Sequence, residues 1–342
     1  MHNLTRASRE LFRRTPDETF PSLDTLISHC LQQRDASEDH WLPPTGLWTK
    51  PVEIDTLLLA GGDDRLFRMN DWSFGQLCRL AGVTKETVNR LTPETASRVF
   101  GETLPRGNKP LQIYAVDEQA RSIHGASYTR LYNAELLDLV LEAAEGFEPP
   151  PAGANAGTGL YCGEQDMFVF LIDPTGWTEI GDEAFAPGMF VWNSEVGRRS
   201  LGVQTFWFQA LCRNHIVWDA VEVVEFSRKH TANVREALVE IRRIVGALAA
   251  KRDARRDAFA QVIQRAMDTK LGDDADEVGA ELSKARISRA LSHRAIEMAA
   301  EQGRFTVFAL VDALTRLSRQ IVNAGDRTEL DQQAGSLLTL AV

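Results

Sequence analysis

The chain has 342 residues, of which 44% are hydrophobic, and its formal net charge is −10. This length and apolar fraction are enough for a sizeable buried core. The acidic balance excludes a protein that coats nucleic acid with its whole surface, because phosphate binding depends on Lys and Arg. No stretch reaches the roughly 18 apolar residues of a membrane span, and the first residues lack the apolar segment of a signal peptide. We therefore expect a cytoplasmic protein with no membrane contact.

The four cysteines lie far apart and form no Cys-x-x-Cys pair. Neither a zinc ribbon nor a disulfide framework is indicated. No P-loop, dinucleotide fingerprint or hydrolase motif is present, although each of these has a recognisable spacing. The sequence therefore predicts no cofactor.

Residues 1–50 are expected to mix two helical fragments with a turn at Pro43 and Pro44. Proline cannot continue a helix, so two short fragments are expected instead of one long helix. Trp41 and Trp48 are expected to pack this segment against the body of the protein. We predict an N-terminal arm and not a separate domain.

Residues 73–100 predict a helical hairpin. Ser73 and Thr84 are suitable N-caps, and Gly82 is a suitable end for the first helix. The spacing resembles a helix-turn-helix, whose second helix would present residues 85–90 to a major groove. Two short helices joined at a glycine are also a common packing unit, and this second interpretation is favoured.

Alternating apolar and polar residues over 109–132 predict a β-hairpin. Asn133 is a suitable N-cap for the helix that follows. After a loop rich in Pro, Gly and Ala, residues 160–226 supply four or five strands. Apolar residues at helical spacing then predict one long helix over 233–265.

This order of elements lacks a βαβ rhythm and predicts an α+β fold. We expect an antiparallel β-sheet with hairpins packed against a helix, flanked by an N-terminal helical hairpin and C-terminal long helices. Three regions follow from it: an N-terminal arm (1–64), an α+β core domain (65–265) and a C-terminal helical region (266–342).

Positive charge is concentrated in one segment. Residues 228–265 hold ten cations and four anions, so this segment is +6 and the rest of the chain is −16. Arg252, Arg255 and Arg256 interrupt the apolar stripe of the long helix, and unpaired cations are costly to bury. This part of the helix either projects into water or faces an anionic partner.

Residues 192–202 predict a tight turn between two strands, with Arg198 and Arg199 at its exit. Asn193 fits a solvated turn in which the side chain satisfies its own backbone. Alternatively, the two arginines beside Trp192 form an electrostatic groove with a stacking face, a combination that binds single strands.

Residues 208–220 place Arg213, Asn214 and His215 between two apolar strands. Asn tolerates the left-handed conformation of tight turns, so a hairpin explains Asn214 without a ligand. His215 fits a hydrogen-bonded core histidine. Of these three residues, only Arg213 is left to contact a ligand.

A metal-dependent nuclease is a further alternative. Glu164 and Asp166 share one face of a strand, and His124, His215 and His230 lie in elements that can meet in space. Alternating acids on an edge strand also keep the edge soluble. Catalysis therefore ranks below binding.

Three short motifs follow one another along the second half of the chain. The first is an Asn-Ser-x-x-Gly turn at Asn193, Ser194 and Gly197. The second is a Cys-x-Asn pair at Cys212 and Asn214, and the third is a His-Thr step before a helix at His230 and Thr231. This set resembles the phage- and plasmid-borne family called domain of unknown function 932, over roughly residues 65 to 342, although His215 stands where family members often have glycine. The resemblance implies carriage on mobile elements and no established activity. The element order is also similar to single-strand annealing proteins of the Rad-fifty-two type, by fold analogy only.

Together these features predict a non-catalytic protein of phage or plasmid type that binds or anneals single-stranded DNA and forms a homo-oligomer. The residues expected to contact nucleic acid are Arg198, Arg199, Arg213, Lys229, Arg242, Arg243, Arg252, Arg255, Arg256 and Trp192. The main alternative is an anti-restriction or anti-defence protein that binds a host protein through its acidic surface. Convergence of the cations on one surface would favour DNA binding, and their pairing with Asp or Glu would count against it.

Overall fold

Two β-sheets form the framework of this α+β fold. Within the residues described, the larger sheet has eight strands and the smaller has six. None of the helices described is long and apolar enough to cross a membrane. The computed structural model describes residues 10–53, 56–62, 65–151, 159–210, 214–217, 226–301, 303 and 305–342.

Strands and helices are numbered in chain order. The strands are β1 (Glu18–Thr19), β2 (Ser37–Leu42), β3 (Leu47–Glu53), β4 (Thr56–Gly61), β5 (Arg65–Met69), β6 (Leu111–Val116), β7 (Gln119–Gly125), β8 (Leu160–Cys162), β9 (Met167–Ile172), β10 (Thr178–Ile180), β11 (Glu183–Asn193), β12 (Leu201–Gln209), β13 (Asn214–Ile216) and β14 (Phe226–Arg228). The helices are α1 (Leu23–Asp35), α2 (Asp71–Leu80), α3 (Lys85–Val88), α4 (Pro93–Thr103), α5 (Asn133–Ala143), α6 (Glu236–Ala250), α7 (Arg252–Asp268), α8 (Ala275–Lys284), α9 (Arg289–Glu301), α10 (Val307–Ser318) and α11 (Ala324–Ser336).

The smaller sheet has the order β2-β6-β7-β5-β4-β3, and its only parallel pair among the described strands is β5 with β7. Its edge strands β2 and β3 are joined by a short turn at residues 43–46. Five residue steps span at most about 18 Å, whereas a flat six-stranded sheet is about 24 Å wide. The sheet must therefore curl so that its two edges approach. Its inner side chains form one core with α2, α3 and α4.

The larger sheet has the order β1-β8-β9-β11-β12-β13, with β10 beside β11 and β14 beside β12. Alternation along β11 sends successive side chains to opposite faces. Met189 and Val191 join a core with α1, α5 and α6. Phe190 and Trp192 join an aromatic cluster on the other face, where α11 packs. The remaining helices, α7 to α10, form a third core with one end of the sheet.

The predicted α+β class and the hairpin over 109–132 are confirmed, since β6 and β7 pair antiparallel around a turn at Asp117. Of the two helical fragments expected in residues 1–50, one is α1, and the other is wrong over 37–50, where β2 and β3 form instead. Trp41 and Trp48 lie on the outside of the sheet and are 53% and 41% exposed. The two tryptophans do not pack the N-terminal segment against the body of the protein. The inward-facing residues of β2, β3 and β4 do so instead.

Two expected helices differ in extent. The helix predicted over 233–265 is two helices, α6 and α7, because the backbone leaves helical geometry at Lys251, with φ −101° and ψ 11°. This break lets α6 pack under the sheet centre while α7 enters the C-terminal core. The second helix of the possible helix-turn-helix, α3, has only 4 residues. Its Lys85 pairs with Asp71 at 2.6 Å, so no recognition helix forms there.

The predicted N-caps are partly corrected. Asn70, and not Ser73, caps α2, with Ser73 completing a capping box. Gly82 ends α2 as expected, with φ +68°. Thr84 occupies the cap position of α3 but makes no side-chain cap hydrogen bond. Asn133 is the first residue of α5, and Tyr132 holds its cap position.

Candidate nucleic-acid interface

Four arginines at or near α6 and α7 are paired with carboxylates. Arg242 lies 2.6 Å from Glu142 of α5, and Arg235 lies 3.1 Å from Glu135 of the same helix. Pairs within a helix join Arg243 to Glu240 at 2.6 Å, and Arg256 to Asp253 at 3.1 Å and Asp257 at 3.0 Å. Since each of these four guanidinium groups already has an opposite charge, their positive charge is less available to phosphates.

The other cations expected in this strip do not complete it. Arg255 is 4% exposed, and its guanidinium lies 6.0 Å from the ring centre of Trp207. It therefore faces the core. The positions of Arg213 and of the Arg252 side chain lie outside the described part of the chain. The pairing of these cations with Asp and Glu therefore counts against DNA binding along α6 and α7.

Buried polar side chains hold the turn between β11 and β12. Ser194 Oγ donates to the carbonyl of Gln165 at 2.6 Å and accepts from the backbone N–H of Arg198 at 2.8 Å. Asn193 is fully buried, and its Nδ2 donates to Asn133 Oδ1 at 2.8 Å. This bond uses the side chain that was expected to cap α5. The turn is thus fixed to helix α5 on one side and to the connection between β8 and β9 on the other.

Gly197 is required at the tip of the turn. Its φ is +70°, which side chains other than Gly rarely adopt. A Cβ there would lie 2.9 Å from the Tyr128 ring and 3.0 Å from the His124 ring. His124 and Tyr128 stack with centroids 3.6 Å apart, and His230 lies 5.6 Å beyond Tyr128. Asn193, Ser194, Gly197 and His230, which are distant in sequence, therefore meet at this turn.

The two histidines beside the turn are uncharged at neutral pH. Burial, followed by the Arg130 charge, lowers the pKa of His124 to about 3. Burial also lowers the pKa of His230 to about 4. Within the described part, the Nε2 of His124 makes no hydrogen bond. Neutral rings can pack beside the Arg130 guanidinium without charge repulsion.

The other motif residues lie elsewhere. Asn214 is fully buried in β13, where its Nδ2 donates to Gln209 Oε1 at 3.1 Å and to Asp312 Oδ1 at 3.0 Å. Thr231 is exposed beside His230. Cys212 lies outside the described residues. Asn214 therefore supports the sheet, not the turn.

The exposed Arg198 and Arg79 lie beside the half-buried ring of Trp72 at the turn. The guanidinium carbons of Arg198 and Arg79 lie 5.8 Å and 4.9 Å from the ring centre of Trp72. Trp72 Nε1 donates to the carbonyl of Val196 at 2.9 Å, which anchors α2 to the turn. Trp72 and Arg79 could not be predicted from the sequence, because no local pattern links α2 to a turn more than a hundred residues later.

Lys229 lies close to the same surface. It directly follows β14, whose Arg228 is in register with Leu201, just after the turn. In the described part of the chain, no carboxylate lies within ion-pair distance of Arg198 or Lys229. We call Trp72, Arg79, Arg198 and Lys229 the turn surface.

Arg199 differs from its neighbour. Its guanidinium lies 2.9 Å from Asp166, 2.7 Å from Glu329 and 3.5 Å from Asp326. Arg14 also reaches Asp166, at 3.5 Å. This network ties the N-terminal segment and α11 to the sheet, so Arg199 is structural and not available to a ligand.

A cavity of about 310 Å³ separates the turn from α11. Phe168, Trp192, Arg198 and Ser227 are among its walls. Trp192 is only 7% exposed, and its ring packs directly over Gly202. One face of its ring is therefore covered by Gly202, and little of the side chain is left exposed for the stacking that the sequence suggested.

The residues considered for metal binding do not assemble. No group of three or more His, Cys, Asp or Glu side chains in the described ranges could hold a metal ion. Asp166 is paired with Arg14 and Arg199, and burial raises the pKa of Glu164 to about 7. His215 is stacked on Phe170, and burial holds its pKa well below the usual value. This geometry gives a metal-dependent nuclease no centre among these residues.

Comparison with known proteins gives no relative for the chain: no protein-family model, no curated protein and no solved structure matches it. The resemblance drawn from the motif residues therefore stays a prediction. Four of the residues that carry it, Asn193, Ser194, Gly197 and His230, meet at one turn. Function must be argued from the chemistry of that turn.

Proposed function

We propose that this protein binds single-stranded DNA at the turn surface and not along α6 and α7. Arg198 and Lys229 contact phosphates, and Trp72 with Arg79 provides an aromatic and cationic platform beside them. Phosphate contacts from a few cations, combined with aromatic faces, are the usual basis of single-strand binding. The observation that carries the proposal is that Arg198 and Lys229 lack a carboxylate partner among the described residues.

Electrostatics supports a confined interface. The net charge of −10 repels a polyanion from most of the molecule. A strand held by two cations releases few counterions, so the logarithm of the binding constant should fall with the logarithm of salt with a slope of about −1.4. Binding is therefore expected to be moderate in strength and to use a short stretch of strand.

The test compares two charge-removing variants by fluorescence anisotropy of a labelled oligonucleotide at low ionic strength. We expect R198Q/K229Q to weaken binding at least about tenfold, which corresponds to about 1.4 kcal/mol. The matched variant R242Q/R243Q removes the same charge from paired positions, so its affinity should stay close to that of the unmodified protein. The same series with a duplex should give weaker binding, because its bases are not accessible for stacking.

Two results would overturn the proposal. The first is no binding by the unmodified protein at low salt, which would favour the alternative of an acidic surface that binds a host protein. The second is an equal loss in both variants, which would show that only the total charge matters. Circular dichroism of each variant verifies that the fold is retained.

A further inference from the structure

A second cavity, of about 500 Å³, lies between the segment before β1, strand β8 and the connection from α10 to α11. Its walls include three guanidinium groups, one phenol, one amide and one carboxyl group. These belong to Arg316, Arg319, Arg327, Tyr161, Gln320 and Asp17. We call it the arginine cavity. A concentration of cations of this kind is unusual in a protein with a net charge of −10.

Arg327 is the buried member of the set, at 9% exposure. It donates to the Tyr161 hydroxyl at 3.1 Å and approaches His215 Nδ1 at 3.4 Å. Because burial keeps His215 uncharged, the imidazole accepts from the guanidinium and adds no positive charge. The Arg327 Nε makes no hydrogen bond among the described residues.

The charge of Arg327 is incompletely balanced. Its ion-pair partner Asp331 lies 3.7 Å away, and burial raises the pKa of that carboxyl to about 7. Asp17, the one carboxyl among the six wall groups named above, accepts from the backbone N–H of Ala324 at 2.7 Å. Burial raises the pKa of Asp17 to about 6. Near neutral pH Asp331 is therefore a weak counter-charge for Arg327, whereas Asp17 is mostly ionised and is shared with Arg14 at 3.7 Å.

Helix dipoles explain only part of this arrangement. Arg316 and Arg319 lie at the C-terminal end of α10, where cations are favourable without any ligand. Arg327 lies in the first turn of α11, where the dipole disfavours a cation and favours an anion. Arg316 is held in place by Asp312 at 2.9 Å. Because Asp17 already accepts from the first N–H of α11, the buried guanidinium of Arg327 is the group that favours an added anion in the cavity.

We propose that the arginine cavity binds a phosphate group. Planar guanidinium groups match the oxygen atoms of phosphate by paired hydrogen bonds, and the Tyr161 hydroxyl and the Gln320 amide can donate to the remaining oxygens. The phosphate belongs either to a free phosphate ester or to the end of a nucleic-acid strand. This proposal does not depend on the turn surface, which shares none of the six cavity residues named.

Isothermal titration with inorganic phosphate and pyrophosphate, at constant ionic strength set with chloride, tests the site. We expect saturable binding by the full chain and at least tenfold weaker binding by R319Q, whose side chain is exposed and whose replacement should leave the fold intact. R289Q removes an exposed arginine of α9 that does not line the cavity and should bind as the unmodified protein does. R319K keeps the positive charge but loses the paired hydrogen-bond donors of the guanidinium group, so it should recover part of the affinity for phosphate.

No saturable binding up to about 10 mM phosphate, a concentration at which even a weak millimolar site would fill, would overturn the proposal. An equal loss in R319Q and R289Q would also overturn it. Once binding that depends on Arg319 is found, 5′-phosphorylated and 5′-hydroxyl oligonucleotides distinguish the two sources. A preference for the phosphorylated strand that R319Q removes assigns a strand end, and equal binding of both assigns a free ester.

Discussion

Two cation-rich regions of this protein differ in how their charge is used. On α6 and α7, Arg242 and Arg243 have carboxylates at 2.6 Å. At the turn surface, Arg198 and Lys229 have no such partner in the described part of the chain. The comparison shows that the number of positive residues in a segment does not measure the charge available to a ligand. The paired arginines of α6 and α7 add little to binding, whereas two cations without a carboxylate partner among the described residues form a distinct feature on an acidic protein.

The two regions also differ in their backbone. Helix α6 is regular, and its Gly246 has open space where a side chain would be. The turn depends on Gly197 in the left-handed region, packed against two aromatic rings. The available cations are therefore presented by a strained, well-supported turn, while the paired cations lie on an ordinary helix surface.

The largest expected effect comes from replacing these two glycines by alanine. G197A should destabilise the protein by about 2 to 3 kcal/mol, because alanine is strained at positive φ and its Cβ meets Tyr128 and His124. G246A should stabilise it by about 0.5 to 1 kcal/mol, since alanine is the better residue inside a helix. Urea unfolding of both variants measures the difference. Equal effects would mean that the turn is not the constrained element described above.

A second prediction uses the histidines that accompany the turn. His230 has a folded-state pKa of about 4, lowered by burial, against about 6.5 when unfolded. As pH falls below 6.5, the unfolded chain binds a proton that the folded chain does not, so stability is lost. The loss from this residue should be about 2 kcal/mol between pH 6.5 and pH 5.

The substitution H230N removes the contribution of His230 to the pH dependence of stability. The difference in unfolding free energy between H230N and the unmodified protein should therefore shift in favour of H230N by about 2 kcal/mol from pH 7.5 to pH 5. Raised carboxyl pKa values, such as that of Asp17, act with the opposite sign but cancel in this difference. A difference that does not change with pH would mean that His230 is protonated in the folded state.

Sequence patterns found the features that depend on neighbouring residues. The β6–β7 hairpin follows from alternation around a turn, and Gly82 ends α2 because only the local backbone decides its conformation. The aromatic and cationic platform of Trp72 with Arg198 was not predictable, because α2 and the turn meet only in the folded chain.

The carboxylate partners were missed for the same reason. Glu135 and Glu142 of α5 each face an arginine 100 positions later, and a charge count over a window cannot include them. The Asn133 side chain fits an N-cap by sequence, yet a buried Asn193 uses it sixty positions later. Local rules therefore gave the elements, and long-range packing decided which polar groups remained free.

The smallest effect on stability, and the most direct test of the comparison, comes from releasing the paired cations. E142Q/E240Q replaces two carboxylates by neutral amides of the same shape and leaves Arg242 and Arg243 without counter-charge. Exposed pairs contribute little to stability, so the unfolding midpoint should hardly move.

The affinity of E142Q/E240Q for a labelled oligonucleotide should rise by about twofold to fivefold at low salt, because the freed guanidinium groups can now attract phosphates, and this gain should vanish as salt screens them. Combining E142Q/E240Q with R198Q/K229Q separates the regions further. If α6 does not bind the oligonucleotide only because its arginines are paired with carboxylates, the combined variant should recover part of the lost binding. If it recovers none, the geometry of the turn surface, and not only its free charge, determines where a strand binds.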